Sequence, residues 1–158
     1  MNSRSPVYEM LRHICQALKT GGRLVIAEPY ELRGRYLNLF DPELSLLTMV
    51  TIAPGTRMLL LDLDRIHEDR PKVVAAACRV RGEKSEGGRL EFQVDGIAGT
   101  SAIVGIGTRS APTEIAVAGR MLEATSFDFS HGVLRLRFVN SPEPTRIEVQ
   151  FRKVGHIP

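Results

Sequence analysis

The pattern that most constrains this fold is a single helix–strand unit at the N-terminus, followed by a chain that reads as β. Residues 7–18 place apolar side chains at helical spacing, and residues 24–27 form a short apolar run typical of a strand covered on both faces. A parallel sheet needs several strands joined by helices, so one such unit cannot build an α/β domain. We therefore predict a mainly β protein, an antiparallel β-sandwich with a short N-terminal helix–strand unit.

Short β patterns separated by turn signals fill the rest of the chain. Pro54-Gly55, Gly119 and His131-Gly132 are the clearest turn signals, and residues 82–88 read as a polar connection. We expect residues 1–56 to form the helix–strand unit and a β connection, and residues 57–158 to form the sandwich. The predicted strands are 30–41, 44–52, 57–63 (as a central strand), 72–80, 90–94, 101–106, 114–117, 125–129, 133–138 and 146–151.

The charge pattern argues against a nucleic-acid partner, although the net charge is +3. Arg135 and Arg137 alternate with apolar residues, which predicts that they lie on the solvated face of a strand. A dense basic run interleaved with aromatic residues is missing from the sequence. We also expect no membrane span, no secretory leader, a cytoplasmic location, and buried thiols at Cys15 and Cys78.

Two aspartates, Asp62 and Asp64, follow a run of leucines. Their spacing resembles the nucleophile strand of haloacid-dehalogenase-type phosphatases, in which both carboxylates lie beside a magnesium ion. That family continues with a small residue and then threonine or valine, whereas Arg65 and Ile66 follow here. We expect instead that both aspartates share the solvated face of a strand. The histidines show no paired ligand spacing, so we predict no metal site.

The helix–strand unit carries a resemblance of its own. Residues 18–28 read LKTGGRLVIAE, which is similar to a late helix–strand unit of class I S-adenosylmethionine methyltransferases and to the last such unit of amidotransferase-like domains. In the methyltransferases the cofactor is held by a glycine-rich loop after the first strand. The resemblance brings no such loop with it, so we expect no cofactor.

The second half of the chain resembles the C-terminal β-sandwich of multidomain glycoside hydrolases. The residues that carry this similarity are 113–122, 127–129, 131–138 and 145–151, in which glycine turns join alternating strands. In that family the sandwich braces the catalytic domain or lines its cleft, which implies a non-catalytic accessory module with a structural or interfacial role. Some of those enzymes also carry an amidotransferase-like domain before the sandwich. The resemblance implies an upstream catalytic domain as partner and assigns no catalytic residue.

Two alternatives remain open. A stand-alone protein that binds a small molecule or a carbohydrate would use residues 30–41, where Tyr30, Arg33, Arg35 and Tyr36 are the candidate ligand-binding residues. A hydrolase would use carboxylates that the sequence does not bring together. The strand at residues 24–27 is apolar on both faces and lacks a parallel neighbour, which favours a homo-oligomer.

Overall fold

The computed structural model describes residues 28–66 and 70–152, and these form antiparallel β-sheets with two short 3₁₀ turns. This confirms the prediction of a mainly β protein, while the predicted N-terminal helix and strand lie outside the described residues. The 3₁₀ turns are Leu63–Arg65 and Ala124–Ser126. The strands are β1 Tyr30–Asn38, β2 Leu46–Ile52, β3 Leu60–Asp62, β4 Lys72–Ala76, β5 Arg79–Glu86, β6 Arg89–Asp95, β7 Ser101–Gly107, β8 Pro112–Val117, β9 Arg120–Met121, β10 Phe127–Ser130, β11 Val133–Val139 and β12 Thr145–Phe151.

Contacts divide the chain into two compact units. The first unit comprises Met1–Leu32 and Val50–Arg57, and its described part includes the predicted Pro54-Gly55 turn, in which the Thr56 amide donates to the Ala53 carbonyl at 3.1 Å. The second unit comprises Arg33–Met49 and Met58–Pro158, and the packing and sites described below belong to it. The predicted domain boundary between residues 56 and 57 stays a prediction.

The strands form three sheets of three, four and five strands. The three-stranded sheet has the order β2-β1-β3, the four-stranded sheet β10-β11-β7-β4, and the five-stranded sheet β5-β6-β12-β8-β9. Alternation along each strand sends apolar side chains from the four- and five-stranded sheets into one shared core, as in a sandwich. The buried members of this core are Leu90, Phe92, Val94, Val104, Ile106, Ile115, Leu134, Leu136, Ile147, Val149 and Phe151.

A second apolar cluster covers the other face of the four-stranded sheet. Leu37 of β1 and Leu63 pack there against Val133 of β11. Strand β7 is therefore buried on both faces, which explains its continuous apolar sequence. Leu44 packs over Gly105 of β7, where a Cβ atom would lie 3.4 Å from Leu44 Cδ1 at an ordinary contact distance.

Two strand predictions are wrong. Residues 57–63 do not form a central strand, because β3 spans only Leu60–Asp62 and lies at the edge of its sheet. Residues 72–80 are not one strand, since the chain leaves the four-stranded sheet after β4 and enters the five-stranded sheet with β5. Strand β5 also continues into the predicted polar connection at 82–88. Its charged residues suit an edge strand that faces water on one side, so their polarity does not prevent pairing.

The prediction for the arginines of β11 is also corrected. Arg135 and Arg137 do alternate with core residues, but the Arg135 side chain is only 17% exposed. Its Nη1 atom lies 3.4 Å from the Leu44 carbonyl oxygen, in the connection between β1 and β2. The face is covered because a further layer of chain packs on it, which strand periodicity alone cannot reveal.

Residues 28–66 and 70–152 include no helix that is long and apolar enough to cross a membrane.

Candidate functional site

A pocket of about 480 Å³ in the second unit is lined by residues of β1 and of the paired ends of β7 and β11. Its volume is in the range of small-molecule sites in proteins. We call it the Arg35 pocket. Apolar side chains and polar groups both contribute to its wall, which consists of Arg35, Leu63, Asp64, Ile66, Val74, Gly107, Thr108, Arg109, His131, Gly132 and Val133.

The turn between β10 and β11 forms one wall of the pocket. His131 and Gly132 both have positive φ angles, +50° and +80°, as a two-residue hairpin turn with right-handed strand twist requires. The Thr108 amide donates to the Gly132 carbonyl at 2.9 Å, which joins the end of β7 to this turn. A Cβ atom at Gly132 would lie 3.4 Å from Arg35 Nη1, which is an ordinary contact distance, so the positive φ angle is what favours glycine here. The turn predicted at His131-Gly132 is confirmed.

Arg35 is fixed in the pocket by three hydrogen bonds. Its Nε donates to Asp64 Oδ1 at 2.7 Å, and its backbone amide donates to Asp64 Oδ2 at 3.0 Å. Its Nη1 donates to the His131 carbonyl at 2.9 Å, so the side chain spans from β1 to the β10–β11 turn. The Nη2 atom forms no hydrogen bond with the described residues.

The bonds from Arg35 also stabilise the ionised form of Asp64. The hydrogen bond from the Arg35 side chain, followed by the one from its backbone amide, holds the pKa of the Asp64 carboxyl below its usual value. A general acid needs a raised pKa so that it still carries a proton near neutral pH. Asp64 is therefore an ionised anchor for Arg35.

Asp62 and Asp64 have different structural roles, so the prediction that they share one solvated strand face is wrong. Asp62 ends β3 and caps the following 3₁₀ turn, because its Oδ1 accepts from the Asp64 amide at 3.0 Å. Its Oδ2 lies 3.2 Å from Arg65 Nε. Asp64 belongs to the 3₁₀ turn, and its side chain bonds to Arg35. The strand ends at Asp62, one residue before the predicted end at residue 63, and Asp64 lies beyond both.

The four predicted ligand-binding residues all lie on β1, but only Arg35 lines the pocket. Tyr36 packs over Gly34, where a Cβ atom would lie 3.1 Å from the tyrosine ring, and its hydroxyl donates to the Arg33 carbonyl at 3.4 Å. Tyr30 begins the strand in the first unit, and Arg33 is exposed. Ligand binding by Tyr30, Arg33 and Tyr36 stays a prediction.

Sequence reasoning missed Asp64, Thr108 and His131 as pocket residues. Asp64 is 29 positions from Arg35, and His131 is 96 positions away. Such separations follow from sheet packing rather than from any local motif. The only available signal was the turn at His131-Gly132, which places an imidazole and a carbonyl group at the end of a hairpin.

A second charged cluster lies on the five-stranded sheet. Glu91 and Glu148 are cross-strand partners, and two arginines each contact both of them, so that four charged side chains form one cluster. Arg146 Nη2 lies 2.9 Å from Glu91 Oε2, and Arg146 Nε lies 2.8 Å from Glu148 Oε1. Arg89 contacts the same two carboxylates. These contacts neutralise the paired glutamates. Among residues 28–66 and 70–152, no group of three histidine, cysteine or acidic side chains is arranged to hold a metal ion.

Comparison of the chain with known protein families, characterised proteins and solved structures finds no match.

Proposed function

We propose that this chain is a non-catalytic accessory β module that binds a small molecule in the Arg35 pocket. The accessory role follows the resemblance of residues 113–151 to the C-terminal sandwich of glycoside hydrolases. The binding role follows the alternative of a small-molecule or carbohydrate-binding protein. The two roles are compatible, because an accessory module contributes to its partner by presenting a ligand or a surface.

The observation that carries the proposal is the fixed Arg35–Asp64 pair on a partly apolar wall. The carboxylate is kept ionised, and the guanidinium keeps N–H groups that bond to no described residue. Concave, partly apolar sites with a few fixed polar groups are typical of ligand binding. Proton transfer would require a group whose pKa lies near the working pH, and the shift at Asp64 goes in the opposite direction.

A carbohydrate in this pocket would be held mainly by hydrogen bonds. The described lining residues include no phenylalanine, tyrosine or tryptophan ring for a pyranose ring to stack on. Arg35, Thr108 and the carbonyl groups of the turn supply donors and acceptors instead. A hydrolase with unassigned carboxylates is the weaker alternative, because Asp64 and Asp128 are both bonded to arginines.

An interfacial role would use large apolar side chains that are exposed in the second unit, Phe40, Ile97 and Val139 among them. The partner in this proposal is an upstream catalytic domain or a second copy of the chain. Light scattering at micromolar concentration tests the second copy directly. A dimer mass supports self-association, and a monomer mass leaves the catalytic domain as the proposed partner.

A two-dimensional amide NMR titration of the full chain tests ligand binding. We expect that a panel of small molecules, comprising a neutral monosaccharide, a short carboxylate, a short amide and a short amine, includes at least one that shifts the amides of Gly107, Thr108, Gly132 and Val133. The amides of Glu91 and Glu148 on the five-stranded sheet serve as internal controls. Shifts confined to Tyr36 and its neighbours would place the site on the surface of β1 outside the Arg35 pocket. No shift with any probe would contradict a binding role.

A further inference from the structure

We infer that the ligand of the Arg35 pocket is a small carboxylic acid with an apolar body, and that its carboxylate binds the Nη2 edge of Arg35. This inference rests on the proposed binding function and names the chemical class of the ligand. It follows from three properties of the pocket, namely its available donor groups, the fixed position of the guanidinium, and the apolar part of its wall.

The hydrogen-bonding groups of the wall favour an anion. Among the described lining residues Asp64 carries the one carboxylate, and it lies beside Arg35. Both oxygens of Asp64 already accept hydrogen bonds from Arg35. A cationic ligand would have to compete with these bonds, whereas an anion meets donor groups that remain available at Nη2.

The Arg35 side chain is held in place before any ligand arrives. Bonds at Nε and Nη1 fix the plane of the guanidinium, which makes the direction of the Nη2 hydrogens definite. A flexible arginine loses rotamer freedom when it binds an anion, and a fixed one avoids that cost. A planar carboxylate matches the planar donor edge of a guanidinium.

The apolar part of the wall distinguishes an organic acid from an inorganic oxyanion. Leu63, Val74 and Val133 line the same cavity, and Leu63 and Val133 are buried members of the second apolar cluster. Phosphate would use only the charged groups, while an acid with an aliphatic or aromatic body would also cover these side chains. Each methylene that leaves water on binding strengthens affinity about fourfold.

Hexanoate, hexanamide, acetate and inorganic phosphate separate these contributions in the same NMR titration. We expect hexanoate to shift the Gly132 and Thr108 amides and to bind at least ten times more tightly than acetate. Hexanamide has the same body without the charge, so we expect it to bind at least ten times more weakly than hexanoate. Phosphate should bind no more tightly than acetate.

Variants of Arg35 locate the charge requirement. Arg35→Gln should weaken hexanoate at least tenfold and leave hexanamide nearly unchanged. Arg81→Gln is the matched control, because Arg81 also pairs with one aspartate, Asp95, at 2.9 Å and is exposed to a similar extent. If Arg35→Gln does not fold, Arg35→Lys keeps the charge but loses the planar edge, and we expect at least a threefold loss.

The outcomes separate the ligand class from the proposed function. Equal binding of hexanoate and hexanamide, or tighter binding of phosphate, would overturn the carboxylic acid while the pocket remained a binding site. Unchanged hexanoate affinity in the Arg35 variants would overturn the role of Arg35. If neither these four compounds nor the broader panel shifts the pocket amides, both the ligand class and the binding function are wrong.

Discussion

Asp128 joins two arginines of β11 on the covered face of the four-stranded sheet, and its replacement by asparagine is a sharp test of that packing. Oδ2 accepts from Arg135 Nε at 2.9 Å and from Arg135 Nη2, and Oδ1 accepts from Arg137 Nη1 at 2.9 Å. Arg137 also donates from Nε to Glu43 Oε2 at 2.8 Å. Asp128→Asn removes the charge while it keeps the size of the side chain.

The expected loss follows from the number of bonds and from their burial. An amide oxygen replaces one acceptor, but the amide NH₂ faces an arginine donor on the other side, so at least one charge-assisted bond is lost outright. Such a bond contributes about 1.5–3 kcal/mol when desolvated, and an exposed pair contributes about 0–1 kcal/mol. Arg135 is 17% exposed and Asp128 is 37% exposed, which places the pair between these limits. We expect Asp128→Asn to lower the free energy of unfolding by about 2 kcal/mol.

Urea denaturation at pH 7 measures this loss, with Asp95→Asn as the matched control. Asp95 is 40% exposed, similar to Asp128, but it accepts from one arginine that is itself exposed. The control should therefore lose less than about 1 kcal/mol. Equal losses in the two variants would refute the conclusion that the face with Arg135 is covered, since both pairs would then behave as surface pairs.

The pH dependence gives a second test of the same cluster. Partial burial raises the pKa of Asp128, but hydrogen bonds from Arg135 and Arg137 outweigh it, and the net pKa lies below the ordinary value of 3.8. A carboxyl whose pKa is lower in the folded state than in the unfolded state stabilises the fold at every pH above its unfolded-state pKa. This stabilisation is lost as the pH falls through the folded-state pKa. The stability difference between wild type and Asp128→Asn should therefore be constant from pH 7 to about pH 5 and shrink below pH 4. A difference that grows on acidification would contradict this assignment.

Two further tests concern residues in the connections of the five-stranded sheet, one of steric packing and one of thiol reactivity. Gly96→Ala should lower the free energy of unfolding by about 1–3 kcal/mol, because the new Cβ would lie 2.5 Å from Cγ of the buried Asn140. In an Asn140→Ala background the same change should cost less in chemical denaturation, and strictly additive effects would contradict the predicted clash. Burial, and then the nearby Asp95 carboxylate, raises the pKa of the Cys78 thiol, so we expect Cys78 to react more slowly with iodoacetamide at pH 8 than a free cysteine. In a Cys15→Ser background Asp95→Asn should speed this reaction, and an unchanged rate would exclude the electrostatic contribution.

The sandwich could be predicted from sequence because its strands obey the simplest rule of β structure. Residues 90–94, 134–138 and 146–151 alternate between apolar and polar side chains, and the structure places their apolar residues in one core. The hairpin turns at Gly119 and Gly132 were visible for the same local reason, because a two-residue turn with positive φ angles favours glycine.

The third sheet could not be predicted, because it depends on contacts that periodicity does not encode. Alternation along β11 shows that Arg135 faces away from the main core, but it cannot show whether water or another layer lies on that side. The sequence of strand β7 does indicate a covering layer, because residues 102–106 are apolar at successive positions rather than at alternate ones. A strand of that kind needs cover on both faces, and the cover comes from Leu37 and Leu44.

The packing of this third sheet differs from that of the sandwich in a way that explains where the pocket lies. Leu37 and Val133 form an apolar centre, and arginines cross between the layers on either side of it. Arg35 reaches the His131 carbonyl at 2.9 Å, and Arg137 reaches Glu43 at 2.8 Å. Apolar contacts tolerate sliding of one layer over another, whereas hydrogen bonds to arginine are directional, so we infer that these arginines fix the position of β1 over β11.

An arginine at the edge of a layer leaves more space than a close-packed leucine would, and it brings donor groups to the end of the layer. The Arg35 pocket is therefore a consequence of the arginine hydrogen bonds that join the three-stranded sheet to β11. Because these bonds link separate layers, the residues that line the pocket are far apart in the sequence.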